Sequence, residues 1–196
     1  MSGKLPFNPP QLSQFMDACW VESYFTKDEV ELILKAYESK VKSAAQVADK
    51  GLDMPDLRKS TVAFLEPDDA EHAPIIHKLA QLAIQVNQQR YAFDLSGIYE
   101  PLQIAQYDSD DFFDWHTDFS NGQASTRKLS LSVQLSEPSS YEGGDLQFKI
   151  NTNEINAPKS VGTVVIFPSF VQHRVTPIIS GVRKSLVAWI TGPHFK

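Results

Sequence analysis

The stretch 99–118, YEPLQIAQYDSDDFFDWHTD, marks the point where the pattern of the sequence changes from helical to strand-like. From here onward, apolar and polar residues alternate with a period of about two, interrupted by turn signals such as EGGD and SG. Short strands separated by frequent turns are typical of a closed or double-sheet β architecture. The pattern predicts strands at Tyr99–Tyr107, Phe112–Asp118, Lys128–Leu135, Asp145–Ile150, Thr163–Phe167, His173–Thr176 and Arg183–Ile190.

Two amphipathic helices are predicted in the first half of the chain. Thr26 and Glu29 form a capping-box pattern, after which apolar residues recur at helical spacing until Gly51 can end the helix. A second helix is predicted over 73–91, and a strand over 59–65 lies between the two helices. We expect the helices to bury their apolar stripes against one face of a sheet, which makes the fold class α+β.

The chain of 196 residues is predicted to form one domain preceded by a short arm. Residues 1–15 are rich in proline and polar groups, which is typical of a loosely held N-terminal arm. Residues 16–196 are expected to form the domain, with its core strands at about 98–192. A hydrophobic content of 42% is enough to bury a substantial core.

Composition excludes several classes of protein. The formal net charge of −6 gives no overall attraction for nucleic acid or for an anionic membrane, and this argues against both as partners. No apolar run approaches the roughly 20 residues that span a bilayer, and the first residues lack the apolar segment of an export signal. Cys19 is the only cysteine, so an intrachain disulfide and a thiolate zinc site are both excluded. These features predict a cytoplasmic protein.

The segment WHTD supplies two candidate metal ligands. His116 and Asp118 lie two positions apart on a predicted strand, so their side chains point to the same face. His173, at the start of a later strand, is the candidate third ligand. Two histidines and one carboxylate leave open positions on a metal, as in the Fe(II) oxygenases that bind co-substrate and dioxygen together. The predicted triad therefore consists of His116, Asp118 and His173, and it is also the predicted catalytic centre.

Arg183 is a candidate carboxylate anchor because it follows His173 by ten residues. A hairpin that paired these two residues would turn near Ile178, and paired positions share one face of a sheet. The planar guanidinium of Arg183 would then reach the metal cavity and could bind a carboxylate through two hydrogen bonds. Lys184 has the opposite parity and is expected to face outward.

A family resemblance emerges from four segments taken together. YDSDDFFDWHTD (107–118), YEGGDLQF (141–148), HRVTPIISGVRKS (173–185) and the following AW (188–189) resemble the prolyl 4-hydroxylase-like superfamily, and within it the bacterial PKHD-type hydroxylases. The resemblance covers about 98–192 strongly and the helical first half more weakly. It implies a double-stranded β-helix, or jelly-roll and cupin-like, core with the N-terminal helices packed on one sheet.

The same resemblance implies roles for individual residues. The triad would bind Fe(II), and Arg183 would pair with the distal carboxylate of 2-oxoglutarate. Tyr107 would donate its hydroxyl to this co-substrate, although an ordinary cross-strand aromatic residue is the alternative. Trp189 would line the same pocket, and its alternative role is that of a core residue. Many animal and plant prolyl hydroxylases carry lysine where Arg183 stands, so the sequence follows the arginine branch.

The residues that contact the substrate are predicted less directly. Arg58 and Ser60 resemble an Arg-x-Ser element beside the substrate groove of prolyl hydroxylases, although the residues by themselves favour a plain solvated strand start. Trp115 and Phe119 complete the predicted substrate contacts. The segment Phe119–Arg127 is small and polar and directly follows the ligands, so we expect it to be a mobile lid over the site.

The predicted function is hydroxylation of an unactivated C–H bond with dioxygen and 2-oxoglutarate, releasing succinate and CO2, with ascorbate supporting activity. The resemblance favours a peptidyl proline as substrate, and a free amino acid or another small molecule is the alternative. A nucleic-acid demethylase would use the same iron chemistry, but the acidic balance and the lack of a basic stripe argue against it. In another class, a non-catalytic cupin-like protein could use the triad only to hold a metal or a small acid.

Overall fold

Two antiparallel sheets face each other in the computed structural model, which describes residues 17–45 and 56–195. The predicted arm and the predicted helix stop at Gly51 lie outside these residues. The helices are α1 (Lys27–Ser39) and α2 (Ala73–Val86), with a π-helical turn at Asn87–Tyr91. The strands are β1 (Cys19–Val21), β2 (Ser43–Ala44), β3 (Arg58–Lys59), β4 (Thr61–Leu65), β5 (Leu102–Tyr107), β6 (Phe112–His116), β7 (Arg127–Gln134), β8 (Tyr141–Gly143), β9 (Leu146–Ile150), β10 (Asn153–Asn156), β11 (Val164–Pro168), β12 (Gln172–Val175), β13 (Ile178–Gly181) and β14 (Arg183–Thr191).

The larger sheet, which we call the major sheet, has seven strands in the order β1-β11-β7-β14-β5-β4-β2. The minor sheet has five strands in the order β10-β9-β12-β6-β3, and β13 pairs with β8 in a separate ribbon. Most of the paired strands are distant in sequence, as expected for a double-stranded β-helix, and the β9–β10 hairpin is an exception. The prediction of an α+β fold with this core is confirmed.

Alternation along the central strands gives the major sheet two different faces. Along β7, Leu129 and Leu131 pack with helix residues such as Ile33 and Leu79 in one buried cluster. Ser130 and Ser132 alternate with these leucines and point between the two sheets. The helices therefore cover the apolar face of the major sheet, as predicted, and leave its polar face toward the minor sheet.

The first helix is shorter than the sequence predicts. Thr26 and Glu29 form the predicted capping box, but α1 ends at Ser39, and Lys40 is already extended. Residues 43–44 pair with β4 instead of continuing the helix, because the edge of the major sheet offers their backbone alternative partners. Val41, which the pattern placed on the apolar stripe of the helix, is 92% exposed. The second helix extends to Tyr91, as predicted, through its π-helical turn.

The predicted hairpin between His173 and Arg183 is wrong. The strand β12 pairs with β6 and β9 in the minor sheet, whereas β14 pairs with β5 and β7 in the major sheet. The segment between them, expected to be a turn, contains the strand β13, which pairs with β8. His173 and Arg183 therefore stand on opposite walls of the space between the sheets.

Two adjacent glycines allow β8 to approach this crossing segment closely. Gly143 and Gly144 have φ values of +76° and +60°, a region that favours glycine. A Cβ on Gly143 would lie 2.2 Å from the carbonyl oxygen of Pro177, and one on Gly144 would lie 2.4 Å from Ile178 Cδ1. The turn that the sequence predicts at EGGD is therefore present, and it needs both glycines.

None of the helices within 17–45 and 56–195 combines the length and apolar composition needed to cross a membrane.

Candidate active site

The three predicted ligands meet on the inner side of the minor sheet. His116 ends β6 and is the cross-strand partner of His173 in β12, with ring centroids 4.1 Å apart. Asp118 lies two residues beyond the end of β6, and its carboxylate oxygens are 3.9 Å from Nε2 of His116 and 3.7 Å from Nε2 of His173. One donor atom from each residue lies within 4.8 Å of the other two. The structure thus brings the triad together.

Backbone carbonyls orient both imidazole rings. Nδ1 of His116 lies 2.7 Å from the carbonyl oxygen of Asp114, and Nδ1 of His173 lies 3.0 Å from that of Val171. A carbonyl oxygen can only accept, so each Nδ1 carries the proton, and each Nε2 presents its lone pair to the cluster. Burial, followed by the neighbouring His173 ring, lowers the pKa of His116 to about 3, which keeps it neutral and able to bind a metal.

Asp118 is held as a carboxylate by several neighbours. Ser130 Oγ donates to Asp118 Oδ2 at 2.6 Å, and the amide of Asp118 donates to the carbonyl oxygen of Ser169 at 2.9 Å. Burial acts to raise the pKa of Asp118, but the two imidazoles, Arg127 and the Ser130 hydroxyl together outweigh it. The pKa of Asp118 is therefore lowered, and the side chain offers an anionic oxygen ligand.

The donor set fits Fe(II). It consists of two imidazole nitrogens and one carboxylate oxygen, and it contains no sulfur. Such a 2-His-1-carboxylate face leaves coordination positions for other molecules, and it is the arrangement of non-haem Fe(II) oxygenases.

A cavity of about 450 Å³ lies between the two sheets beside the triad. Its volume falls in the range of small-ligand pockets, roughly 300–1,000 Å³. The major sheet contributes mainly polar side chains to the wall, and the minor sheet contributes the triad histidines with their apolar neighbours. The lining includes Gln103, Tyr107, Ser132, Arg183, Ser185 and Trp189 from the former, and Phe113, His116, Leu146, His173 and Val175 from the latter.

Arg183 brings a positive charge into this cavity. It is 1% exposed, and it donates to Ser185 Oγ at 3.3 Å and to Gln134 Oε1 at 3.0 Å, both neutral acceptors. Its Nε is buried without a hydrogen-bond partner, and within 17–45 and 56–195 it forms no ion pair with a carboxylate. A buried guanidinium that lacks a carboxylate partner is suited to bind the carboxylate of an acidic ligand.

Tyr107 lies beside Arg183, and Lys184 faces outward as strand alternation predicts. Tyr107 is the cross-strand partner of Arg183, lines the cavity, and has its ring centroid 5.6 Å from the guanidinium carbon. Lys184 points to the opposite side of the sheet, where its Nζ lies 3.1 Å from Glu38 Oε1. Trp189 also lines the cavity, and its Nε1 is buried with no hydrogen-bond partner among the residues that the structure describes.

Two of the four predicted substrate contacts do not reach the cavity. Trp115 adjoins His116 on β6, and neighbouring strand residues point to opposite faces, so its ring lies against Arg174 on the outer side of the minor sheet, 4.5 Å away. Phe119 packs against Phe195, with ring centroids 5.7 Å apart. Neither residue lines the cavity.

The other two predicted substrate contacts are buried. Arg58 is 6% exposed and lines the cavity, with its guanidinium 4.6 Å from the Phe113 ring centroid. Its Nε donates to Ser60 Oγ at 2.9 Å, and Ser60 itself does not line the cavity. The solvated strand start, which the sequence favours for Arg58 and Ser60, is therefore wrong.

The predicted lid borders the cavity and ends in an ion pair that sequence reasoning missed. Gly122–Thr126 form a short 3-10 helix, and Ser120 and Ala124 line the cavity. Arg127 and Glu100 form a buried ion pair at the same wall. No spacing signal links two residues that are 27 positions apart and lie outside the motifs.

Comparison with known proteins finds similar sequences for the second half of the chain. Residues 102–191 match the model of the 2OG-Fe(II) oxygenase superfamily. A PKHD-type hydroxylase of Synechococcus sp. (strain CC9902) is 38% identical over 101 residues, which are 50% of this chain and 45% of that protein. Over this segment the chain is similar to the 2OG-Fe(II) oxygenase superfamily, and the triad provides a donor set that suits the Fe(II) of that description.

Solved structures share the fold over most of the chain. A prolyl hydroxylase from Trichoplax adhaerens, in complex with a hypoxia-inducible-factor peptide fragment, superposes with a TM-score of 0.74 at 17% identity, covering 89% of this chain and 83% of that one. A prolyl-4-hydroxylase from Pseudomonas putida gives a TM-score of 0.69 at 19% identity, covering 90% and 92%. By contrast, this chain spans about half the length of the curated relatives it matches, from 42% to 57%.

Proposed function

We propose that this protein is an Fe(II)- and 2-oxoglutarate-dependent oxygenase that hydroxylates an unactivated C–H bond. One molecule each of dioxygen and 2-oxoglutarate would be consumed, one oxygen atom entering the substrate and the other entering succinate, with release of CO2. The observation that carries the proposal is the presence, in one cavity, of the triad and of Arg183, which has no acidic partner among residues 17–45 and 56–195.

Each group in the cavity has a separate task in this proposal. His116, Asp118 and His173 would hold Fe(II), which when bound supplies the activation of dioxygen coupled to decarboxylation of 2-oxoglutarate. Arg183 would bind the distal carboxylate, with the Tyr107 hydroxyl beside it. Trp189 would form part of the wall that keeps water away from the reacting atoms.

A peptidyl proline is the first candidate for the substrate. Its support is the prolyl hydroxylase resemblance, together with the peptide bound to the structural neighbour from Trichoplax adhaerens. Arg58 lines the cavity on the triad side, so it is the predicted substrate contact that geometry favours. A free amino acid or another small molecule is the second candidate, because a cavity of about 450 Å³ also suits such a ligand.

A non-catalytic metal- or acid-binding protein is the alternative from another class. A metal binder alone needs no dicarboxylate anchor, so Arg183 with Tyr107 argues for the oxygenase. The two classes differ in one measurement, because only the oxygenase converts 2-oxoglutarate to succinate.

The deciding experiment incubates the purified protein with Fe(II), ascorbate and 2-oxoglutarate, alone and with proline-containing peptides or free amino acids. We expect succinate release, and a mass gain of one oxygen in a true substrate. Asp118→Ala should abolish succinate formation because the metal loses its anionic ligand, whereas Asp68→Ala, at an exposed loop position, should leave it unchanged. Full activity of Asp118→Ala, or no succinate from the wild-type protein, would overturn the proposal.

A further inference from the structure

We propose that Glu100 and Arg127 form a clamp that positions the metal ligand Asp118. Arg127 would thus be a positioning residue that acts on the metal site through Asp118. The inference rests on the proposed function only in taking the triad as a metal site.

The clamp begins with a buried, two-pronged ion pair. Glu100 and Arg127 are each 7% exposed. Arg127 Nε donates to Glu100 Oε1 at 2.8 Å, while Nη2 donates to Oε2. Two parallel hydrogen bonds fix both the position and the plane of the guanidinium.

The remaining contacts of Arg127 aim it at the triad. Its Nη1 donates to the backbone carbonyl oxygen of Asp118 at 3.1 Å. Its guanidinium carbon lies 3.9 Å from the ring centroid of Trp189, so the indole supports one face. All three guanidinium nitrogens and one face therefore have partners inside the protein.

Asp118 needs such a support because it lies beyond the end of β6 and lacks a strand neighbour. Its carboxylate is fixed by Ser130 and its amide by Ser169, which leaves the carbonyl to Arg127. The three groups of Asp118 are thus held by three different residues. Partners that orient a metal ligand typically change metal affinity by 10–100-fold when they are removed.

The clamp also closes the base of the predicted lid. Arg127 is the last residue of this segment, and it bonds back to the residue that precedes the first one. While these hydrogen bonds are intact, the clamp would hold Asp118 in place when the lid moves.

The test measures metal affinity directly, with Co(II) titrated into the metal-free protein and its absorption followed. Arg127→Lys keeps the charge but cannot make the paired bonds, so we expect the apparent Kd for Co(II) to rise about tenfold or more. Glu100→Gln should give a smaller rise in the same direction, and it serves as the second variant if Arg127→Lys does not fold. Arg90→Lys, in the half-exposed Arg90–Asp17 pair, is the matched control and should bind Co(II) like the wild-type protein.

A double-mutant cycle separates positioning from general loosening. In an Asp118→Ala background, Arg127→Lys should change the weaker residual Co(II) affinity by less than about twofold, because the carboxylate it positions is gone. An equal loss in both backgrounds would overturn the clamp. So would an unchanged Co(II) affinity with a raised KM for the substrate, which would make Arg127 a substrate contact. A wild-type protein that binds Co(II) but forms no succinate would sink the proposed function and leave the clamp testable.

Discussion

At the scale of single residues, Arg183 is a buried charge that forms no ion pair with any residue in 17–45 and 56–195. Its guanidinium is 1% exposed and, in the part of the chain that the structure describes, its side-chain partners are the neutral Ser185 and Gln134, so it has lost hydration without gaining a counter-charge there. A buried charge in this state lowers stability unless a ligand supplies the opposite charge. This imbalance supports the proposed role of Arg183 as the anchor for a carboxylate.

Removing the Arg183 guanidinium should weaken the binding of 2-oxoglutarate selectively. Arg183→Ala would leave a carboxylate in the pocket without its partner, at a cost on the order of 2–5 kcal/mol. The apparent constant for 2-oxoglutarate should then rise roughly 30-fold or more, since about 1.4 kcal/mol is tenfold. The measurement is a titration of 2-oxoglutarate in the succinate assay without substrate.

Its neighbour provides the matched control. Lys184→Ala should behave like the wild-type protein because the Lys184 ammonium lies on the other side of the sheet, beside Glu38. Arg183→Lys keeps the charge but loses the paired N–H donors of the planar guanidinium, so an intermediate defect is expected. A damaging Lys184→Ala together with a silent Arg183→Ala would show that the anchor is misassigned.

The sequence predicts the direction of a side chain correctly where that direction depends on strand alternation alone. A period of two is enough to place Arg183 inward and Lys184 outward, whichever strands lie beside them. The same rule places Trp115 on the outer face because it adjoins His116, so that prediction conflicted with a rule already in use. Glu100 and Arg127 could not be found this way, since their contact depends on how distant strands are brought together.

At the scale of elements, the connection between β12 and β14 shows why the partner of a strand is harder to predict than the face to which each of its side chains points. A spacing of ten residues suits a hairpin, and a hairpin is the simplest local solution. In a double-stranded β-helix, however, successive strands alternate between two sheets, so sequence neighbours need not pair. Arg183 still faces His173, but across the cavity and from the other sheet.

The predicted lid is the element whose motion can be tested. Its middle, 121–124, is held by local contacts, including the hydrogen bond from Ser125 Oγ to the carbonyl oxygen of Gly122. Its ends are tied to the body, by Phe119 N to Ser169 O and by Gly192 N to Thr126 O. We expect fast amide hydrogen exchange at 121–124 in the free protein and protection on substrate binding.

Amides of β7 provide an internal reference for that measurement. Leu129 and Leu131 lie in the buried centre of the major sheet and should exchange slowly in both states. Slow exchange at 121–124 in the free protein, at the level of these strand amides, would make the segment a fixed wall of the cavity. Mobility would then have no part in substrate binding.

At the scale of the whole molecule, the proposed site divides its tasks between the two sheets. The metal ligands His116 and His173 belong to the minor sheet, whereas Arg183 and Tyr107 belong to the major sheet. A co-substrate that binds both the metal and Arg183 would therefore connect the sheets across the cavity. Without a metal, it would be held at one end only.

This arrangement predicts that metal and 2-oxoglutarate stabilise the fold together. A ligand that binds only the folded state at about 100 times its Kd adds about 2.7 kcal/mol, which for a domain of this size raises the Tm by roughly 5–10 °C. With Co(II) in place, to prevent turnover, we expect 2-oxoglutarate to give an increase of this order, and without Co(II) much less. Arg183→Ala should keep the increase caused by Co(II) and lose most of the further increase caused by 2-oxoglutarate at the same concentration. Thermal unfolding of both proteins in the four ligand conditions measures these increments. An increment from 2-oxoglutarate that does not depend on Co(II), or that survives in Arg183→Ala, would mean that the co-substrate does not bridge the sheets through these residues.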